Sequence, residues 1–451
     1  MKMSVRVLTL VITLLGASVG LAARPNWNED SDTAPTPDLL LASDEEPQEG
    51  GSPTLAEDGH PRPALWSMED YCNDCCDDFL CEPCCQCGPP GRFWLRSEYV
   101  GWWNTPGRVP TLVTTTTGSE LPATQVLYGN ATYNGGYRSG NWTQGGVWAD
   151  CGRTCGVMGD YFFVGRDSSP FDANSGGFPV LARPFIDANT GEASQQLVAY
   201  PDRVVGEIHV QNYNSLMGTG GAFRRNLCCT SNCCDDCCDD CCDWMCAAPC
   251  WRVDLIAGFR YYRFNDNIGI SERLVSTDLT SGVPVGTQIN VNDSFRTLNS
   301  FYGGEFGLMF DRYRGRWLFE AAAKVALGST QQIVAINGDT NVSFGGQSSS
   351  GTGGILALSS NIGRHKHSSF TAIPQVSTRL GWRATERLTL LVGYTCIYWD
   401  QLARAGEQID TTVNPNLFPG ATGGGPNRPA FHLNLSDLFL QGITIGGEVY
   451  F

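Results

Sequence analysis

The sequence lacks the features of a helical membrane protein, of a nucleic-acid-binding protein and of several enzyme classes. Beyond its first residues it has no run of about eighteen apolar residues, the length that a transmembrane helix needs. Its 46 acidic residues outnumber its 30 basic ones, and the net charge of −16 argues against a nucleic-acid partner. The G-x-S-x-G match at 16–20 lies in the apolar N-terminal stretch, and no such match follows it; no H-E-x-x-H or phosphate-binding-loop motif is present, so these hydrolase, metalloprotease and nucleotide sites are not indicated.

The first ninety-one residues are predicted to form three segments. Residues 1–22 have the basic start, short apolar core and small residues of a secretory signal peptide. Residues 23–71 are rich in Pro, Asp and Glu, and we expect a disordered acidic tether because such a composition cannot bury enough apolar surface to fold. Residues 72–91 form a cysteine-rich segment.

The remaining residues, 92–451, alternate between apolar and polar side chains with a period of two. The clearest stretch is "FTAIPQVSTRLGWRATERLTLLVGYTCIYW" at 370–399, which predicts two long strands joined by a short turn. A soluble sandwich would alternate in the same way. Strands of ten or more residues, flanked by Trp, Tyr and Phe, instead favour tilted membrane crossings with aromatic girdles.

The spacing of the strands gives a second test of the fold class. Long loops rich in Gly, Thr, Asn and Ser alternate with short turns, which is typical of an outer-membrane barrel with its turns on the periplasmic side. We therefore predict an all-β, transmembrane antiparallel β-barrel of about ten strands, with twelve as the alternative. The predicted strands are 92–104, 142–150, 155–165, 204–225, 251–264, 295–311, 315–337, 368–383, 387–401 and 440–451.

The predicted strands carry charges on the face opposite the apolar one, and we expect this face to line the lumen. The lumen-facing candidates are Arg96, Glu98, Asp160, Glu207, Asp254, Arg260, Glu305, Glu320, Lys324, Arg379, Arg387 and Glu448. Because both signs are present in a narrow lumen, the charges could either line a channel or pair and plug it. The last strand ends in Phe451, a terminal aromatic of the kind that outer-membrane assembly machinery reads as a signal.

Several segments in a fixed order resemble the β-barrel porin family seven of bacterial outer-membrane proteins. They are "RFWLRSEYVGWW", "GVMGDYFFVG", "GGAFRRNLCC", "LIAGFRYYRFNDNIGISE", "FYGGEFGLMFDRYRGRWLFEAAAKVALG" and "TRLGWRATERLTLLVGYTCIYWD". The resemblance covers about residues 92–451 and implies an outer-membrane barrel. It implies no catalytic residue and no substrate, and the cysteine clusters exceed what it requires.

Nineteen of the 20 cysteines fall on the predicted periplasmic side, in the segment before the first strand, a short turn and the insertion at 226–250. An exported chain favours disulfides over a zinc or copper thiolate site, which stays the minority alternative, and we predict no cofactor. The twentieth, Cys396, is predicted to face lipid as a free thiol. The disulfide candidates are Cys72, Cys75, Cys76, Cys81, Cys84, Cys85, Cys87, Cys151, Cys155, Cys228, Cys229, Cys233, Cys234, Cys237, Cys238, Cys241, Cys242, Cys246 and Cys250.

The five histidines of the chain do not indicate a catalytic site. His209 is the one histidine of five within a predicted strand, and barrel proteases and phospholipases need an Asp–His or Ser–His pairing. His365 and His367 lie in a predicted outer loop without a clear third metal ligand. We therefore predict a non-enzyme with no catalytic or metal site.

Three functions remain open at this point: a passive channel, a structural or surface-display barrel, and a secreted β-rich binding module. The expected location is the outer membrane, after signal-dependent export. The expected partners are outer-membrane lipid, the assembly machinery and, through the cysteines, a second copy or neighbouring envelope proteins; no nucleic acid is expected.

Overall fold

The computed structural model describes residues 91–118, 121–150, 152–230, 250–280, 283–421 and 423–451. The predicted signal peptide and tether lie outside these residues. So do residues 72–90 of the first cysteine-rich segment and residues 231–249 of the second. No helix in the described ranges is long and apolar enough to span a membrane.

Ten antiparallel strands form a closed barrel. Each strand pairs with its neighbours along the chain, and the first pairs with the last, with Trp94 opposite Tyr450. The strands are β1 (Phe93–Asn104), β2 (Arg138–Trp148), β3 (Cys155–Asp167), β4 (Val204–Thr230), β5 (Cys250–Ser276), β6 (Gln288–Arg314), β7 (Trp317–Phe344), β8 (Gly363–Arg383), β9 (Leu388–Ala403) and β10 (Leu435–Tyr450).

The predicted fold class and the count of about ten strands are confirmed. Two further strands, Phe171–Ser175 and Gln347–Thr352, pair with β4 and β7 outside the ring and bring the whole sheet to twelve strands. The described short turns, 152–154, 315–316 and 384–387, lie at one end of the barrel, which we call the turn end. The long connections lie at the other end, the loop end.

Near the turn end the outward side chains are apolar. On β6, Tyr302, Phe306 and Leu308 are exposed on the outer face, whereas Glu305 and Met309, at positions of the opposite parity, are buried inside. The same outward row on β1 runs from Phe93 to Trp103. Ten residues of tilted strand span about 25 Å, the height of the apolar band of an outer-membrane barrel.

Strands β4 to β7 are 27 or 28 residues long and continue well beyond this band. The prediction of continuous loops at 265–294 and 338–367 is therefore wrong in part, because β5, β6 and β7 occupy much of both. In the extension the polarity of the two faces is reversed. Arg296 and Gln331 point outward, while Phe295 and Val334 are buried inside. Much of the extension was not predicted as strand, because its outward face is polar and the expected strands have an apolar outward face.

The extended strands surround a second core built with the outer loops. A small sheet of Ala193–Ala199, Val180–Asp187, Val113–Thr116 and Gln125–Tyr128 includes Thr412–Val413 as a parallel fifth strand. A short hairpin joins Gly107–Val109 to Ala131–Tyr133. Loop residues such as Leu181, Leu356 and Leu358 are buried with Ile268 and Phe295 of the barrel wall. The loops thus pack inside the loop end of the barrel.

Candidate functional site

The interior of the barrel at mid-height is occupied by a cluster of buried charges. The guanidinium of Arg96 on β1 donates from Nη1 and Nη2 to the two carboxylate oxygens of Glu320 on β7, at 2.9 and 2.8 Å. Its Nε donates to Glu448 on β10 at 2.9 Å. Arg379 on β8 also donates to Glu320 and lies 3.3 Å from Glu98 on β1. All five side chains are almost fully buried, so the cluster joins β1 to strands on the far side of the lumen.

A second group of charges continues this layer toward β3, β5 and β6. Arg260 donates to Asp160 and to Glu305, each at 2.7 Å. The ammonium of Lys324 lies 3.2 Å from Glu305. Each of these charges therefore has an opposite charge within hydrogen-bonding distance, which buried ions require.

A third group lies near the turn end. Arg224 on β4 donates to Asp254 and Asp311 at 2.5 Å, and Arg252 contacts the same Asp254 at 2.8 Å. Both guanidiniums also lie over the ring of Trp148, at 5.1 and 4.8 Å from its centroid. The arrangement combines ion pairs with cation–π contacts in a desolvated setting, where both are strongest.

An aromatic layer covers the charges on the loop side. Trp102 from β1 packs edge-to-face on Phe162 from β3, with ring centroids 5.2 Å apart. Trp399 from β9 packs on Tyr262 from β5 at 5.9 Å, across the barrel. Its Nε1 donates to Thr330 at 3.0 Å, so the buried indole is both packed and hydrogen-bonded. The rings thus span the lumen from wall to wall.

The loop end is closed by a further buried ion cluster. Arg183, from the small sheet, contacts Glu272 of β5 at 2.5 Å and Asp293 of β6 at 2.7 Å. Burial raises the pKa of Glu272, and Arg183 only partly offsets this effect. Asp293 also accepts the backbone N–H groups of Ile355 and Ala357, at 3.1 and 2.8 Å. One carboxylate thereby ties two loop segments to the barrel wall.

Ten of the twelve lumen-facing candidates point into the barrel, as the alternation of exposed and buried residues along each strand shows. They are Arg96, Glu98, Asp160, Asp254, Arg260, Glu305, Glu320, Lys324, Arg379 and Glu448. Glu207 does not. It lies on the extension of β4 beyond the band, 37% exposed, and faces Arg273 at 3.5 Å on the outside. Arg387 does not either, because it is an exposed residue of the β8–β9 turn.

The partners that complete these clusters are not among the predicted lumen-facing residues. Arg224 and Asp311 are in phase with inward residues on their own strands, so the alternation could have identified them. Arg183, Glu272 and Asp293 had no comparable signal, because they meet only where a loop folds back into the barrel.

The described cysteines lie at the turn end and on the outward face of β9. Cys155, Cys228 and Cys229 are at the turn end, where Cys228 and Cys229 are exposed free thiols. Cys396 lies on the outward face of β9 and is also a free thiol. Among the residues with an assigned position, no group of three or more side chains is arranged to hold a metal ion. The disulfide and metal alternatives for the clusters therefore stay predictions.

His209 has an acidic neighbour that the sequence did not indicate. Its Nδ1 contacts Asp172, and its Nε2 lies 4.0 Å from Glu207. The side chains of His209 and Asp172 are largely exposed, because the strand Phe171–Ser175 pairs with β4 outside the ring. The pair lies on the outer surface of the extension, away from the buried charges of the lumen.

Within the described ranges a cavity of about 360 Å³ lies among the outer loops. It is lined by Pro106, Val109, Tyr128, residues 131–136 and Ser169. None of its lining residues belongs to the ion clusters of the lumen.

The chain has weak likeness to solved outer-membrane structures and matches one family model. The chain has some likeness to the outer membrane protease OmpT of Escherichia coli, at 10% identity, with 80% of this chain and 97% of that chain covered and a TM-score of 0.36. Similarity to the toluene transporter TodX of Pseudomonas putida is weaker, at 8% identity, 81% and 90% coverage and a TM-score of 0.18. No curated protein matches the sequence. The model of the beta barrel porin-7 (BBP7) family matches residues 94–451, and the chain belongs to that family.

Proposed function

We propose that this protein is a non-conducting outer-membrane barrel with a structural role, which holds its extended loop end at the cell surface. One observation carries the proposal: the Arg96–Glu320 pair crosses the lumen from β1 to β7, and a layer of aromatic rings lies above it. A conducting porin needs a water-filled path along the same axis.

The energetics of the buried charges favour a permanently closed lumen. Separating one member of a buried ion pair from its partner costs about 3–5 kcal/mol. A passing solute would have to separate several such pairs, because Glu320 binds both Arg96 and Arg379. It would also have to displace Trp399 from its contacts with Tyr262 and Thr330. Passive diffusion through this interior is therefore unfavourable.

The outer-membrane location is supported by the family and by the outward surface. The exposed row of Tyr302, Phe306 and Leu308 suits contact with lipid, whereas the extension beyond it presents Arg296 and Gln331 to water. Membrane lipid and the assembly machinery are the partners this proposal implies. Export by a signal peptide at 1–22 remains part of the proposal.

We also propose that the protein is not an enzyme and needs no cofactor. The carboxylates of Glu320 and Glu305 are held in ion pairs, which leaves them poorly suited to proton transfer. In the part of the chain that the structure describes, the His–Asp contact is between His209 and Asp172, and it lies on an exposed outer face. Absence of peptidase activity in the wild-type protein, unchanged by His209→Ala, is the expected result.

The cysteine clusters fit a structural role as cross-links at the turn end. The placed cysteines Cys155, Cys228 and Cys229 lie at that end, as does Gly91, where the first cluster leads into the barrel. Gel electrophoresis without reductant should show species that collapse to one band with reductant. A single monomer band under both conditions would remove the intermolecular cross-links from the proposal.

Conductance in planar lipid bilayers tests the main proposal. The wild-type protein should give no current steps, while a general porin reconstituted in the same membranes does. Heat-modifiable gel mobility of the same preparation shows that the silent protein is a folded barrel. Regular single-channel steps from folded wild-type protein would contradict the closed lumen and restore the channel function.

A further inference from the structure

Six arginines lie along one arc of the turn end, and we call them the arginine arc. They are Arg92, Arg312, Arg314, Arg316, Arg383 and Arg387. Backbone hydrogen bonds make the arc continuous: the Arg383 N–H donates to the Arg316 carbonyl at 2.8 Å, and the Tyr450 N–H donates to the Arg387 carbonyl at 2.9 Å. The Arg92 N–H donates to Phe451 at 2.8 Å, which joins the start of β1 to the same arc.

The arc has a charge opposite to that of the protein as a whole. The chain has a net charge of −16, yet these six positions are all cationic. The β6–β7 and β8–β9 turns, residues 315–316 and 384–387, contain one acidic residue, the exposed Glu386. Two carboxylates inside the barrel near this end are buried and paired. Asp311 binds Arg224, and Glu320 binds Arg96. Arg312, Arg314 and Arg387 of the arc are exposed, so a basic rim faces the solvent at the turn end.

The segment of chain that enters this arc is acidic. Residues 75–90, "CCDDFLCEPCCQCGPP", contain Asp77, Asp78 and Glu82 and no lysine or arginine. They lead directly into Gly91, whose backbone lies against Phe451 so closely that a Cβ would come within 2.7 Å of the Phe451 carbonyl oxygen. The acidic segment thus starts from within the basic arc.

The length of the segment matches the arc. Sixteen residues can span at most about 50 Å when extended. The arc runs from β1 through β10 to β6, which is five strand spacings of about 4.8 Å, or about 30 Å once strand tilt is included. The acidic residues can therefore reach Arg314 and Arg387 without any change in the barrel.

We propose that residues 75–90 dock on the arginine arc through these charges. Exposed ion pairs are individually weak, but the segment is covalently attached beside its site, so docking is intramolecular and several weak pairs act together. Docking holds six cysteines, Cys75 to Cys87, against the turn end. The inference does not depend on whether the lumen conducts.

Proteolysis of the full chain in neutral detergent, with reductant present, tests the docking. An endoprotease that cleaves before aspartate reports on Asp77 and Asp78, and cleavage at Asp278 in an outer loop serves as the internal standard. Salt shortens the screening length from about 10 Å at 0.1 M to about 3 Å at 1 M. The normalised rate at Asp77 and Asp78 should rise at least about fivefold between low and high salt, as loss of several weak ion pairs implies.

Substitutions in the arc should have the same effect without salt. Arg314→Gln with Arg387→Gln should give fast cleavage at Asp77 and Asp78 at low salt, with little further salt dependence. The matched control, Arg273→Gln with Arg296→Gln at the loop end, should behave as the wild type. Heat-modifiable mobility confirms that both double variants are folded.

Two results would overturn the proposal. In the first, cleavage at Asp77 and Asp78 responds neither to salt nor to the arc substitutions. If vesicles containing phosphatidylglycerol then bind to the wild type and not to the arc variant, the arc binds anionic headgroups instead. In the second, the arc substitutions accelerate cleavage only at Asp235 to Asp243, which would assign the arc to the second cysteine cluster.

Discussion

Arg96 and Glu320 lie on strands β1 and β7, on opposite sides of the lumen, and their side chains meet through two parallel hydrogen bonds of 2.9 and 2.8 Å. The bidentate geometry fixes both side chains, and Glu448 and Arg379 hold the other sides of the pair. This contact joins opposite walls of the barrel at mid-height. It also makes the interior sensitive to the loss of a single charge.

Glu320→Gln should lower the free energy of unfolding by about 3–5 kcal/mol, because it leaves Arg96 and Arg379 buried with one anion fewer. The measurement is equilibrium denaturation of the protein folded into phospholipid vesicles. Arg428→Gln is the control, since its pair with Asp410 is partly exposed and should be worth at most about 1 kcal/mol. Equal losses in the two variants would show that the lumen is hydrated.

Val392→Arg should lower the free energy of unfolding by about 2–4 kcal/mol, because Val392 faces outward on the part of β9 that crosses the middle of the apolar band, where lipid tails surround it. Leu388→Arg places the same side chain on the same face at the end of the strand and should cost about 1 kcal/mol or less. Unfolding in vesicles compares the two. A reversed order would mean that the apolar band is placed at the wrong height.

Deletion of Phe451 should block assembly of the barrel in cells. Phe451 is exposed on the outside, and its backbone exchanges hydrogen bonds with Phe93 at the β1–β10 closure. Replacement of Phe344, an exposed aromatic at the far end of β7, should be tolerated. The assay is the fraction of protein with heat-modifiable mobility in the outer membrane. Similar fractions for both variants would show that the terminal aromatic is not read.

The loop around Asp410 should loosen in acid. Burial raises the pKa of Asp410, but hydrogen bonds from the backbone N–H groups of Ala430 and Thr412 and from Arg428 outweigh this, and the pKa lies below its usual value. A depressed pKa contributes stability above the unfolded-state pKa, about 3.9 for aspartate, and that contribution is lost as the pH falls through the folded value.

Hydrogen exchange of the 404–434 loop measures this effect. Asp410→Asn should speed exchange at neutral pH, and the difference from wild type should vanish below the folded pKa. A difference that persists unchanged in strong acid would assign the effect to packing rather than to the charge.

Peptide mapping without reduction should find disulfides from the 72–87 cluster to the 226–250 cluster, or to Cys151 and Cys155. Both clusters are expected at the turn end. This allows disulfides between them, because a disulfide needs α-carbons about 4–7 Å apart. Cys396, on the outward face of β9, should remain a free thiol. Fully reduced clusters with stoichiometric zinc or copper would favour the metal alternative. A disulfide to Cys396 would contradict the topology.

The sequence by itself determined the barrel near the turn end. The alternation of Leu308 and Phe306 with Met309 and Glu305 follows from the pleat of a strand with lipid on one side, and that constraint is local. For the same reason it indicated ten strands and placed charges such as Arg96 and Glu320 on the inner face. It did not say whether those charges line a channel or neutralise each other.

Only the tertiary structure decided that question. Arg96 and Glu320 are 224 residues apart, and closure of the ring brings their strands to opposite walls of one narrow lumen. The extension was also undetermined by the sequence, because loop residues such as Leu356 supply its apolar core and reverse the polarity of its faces. Contacts between distant segments leave no periodic signal along the chain. The pairing of the interior charges is therefore a property of the assembled barrel and not of any single strand.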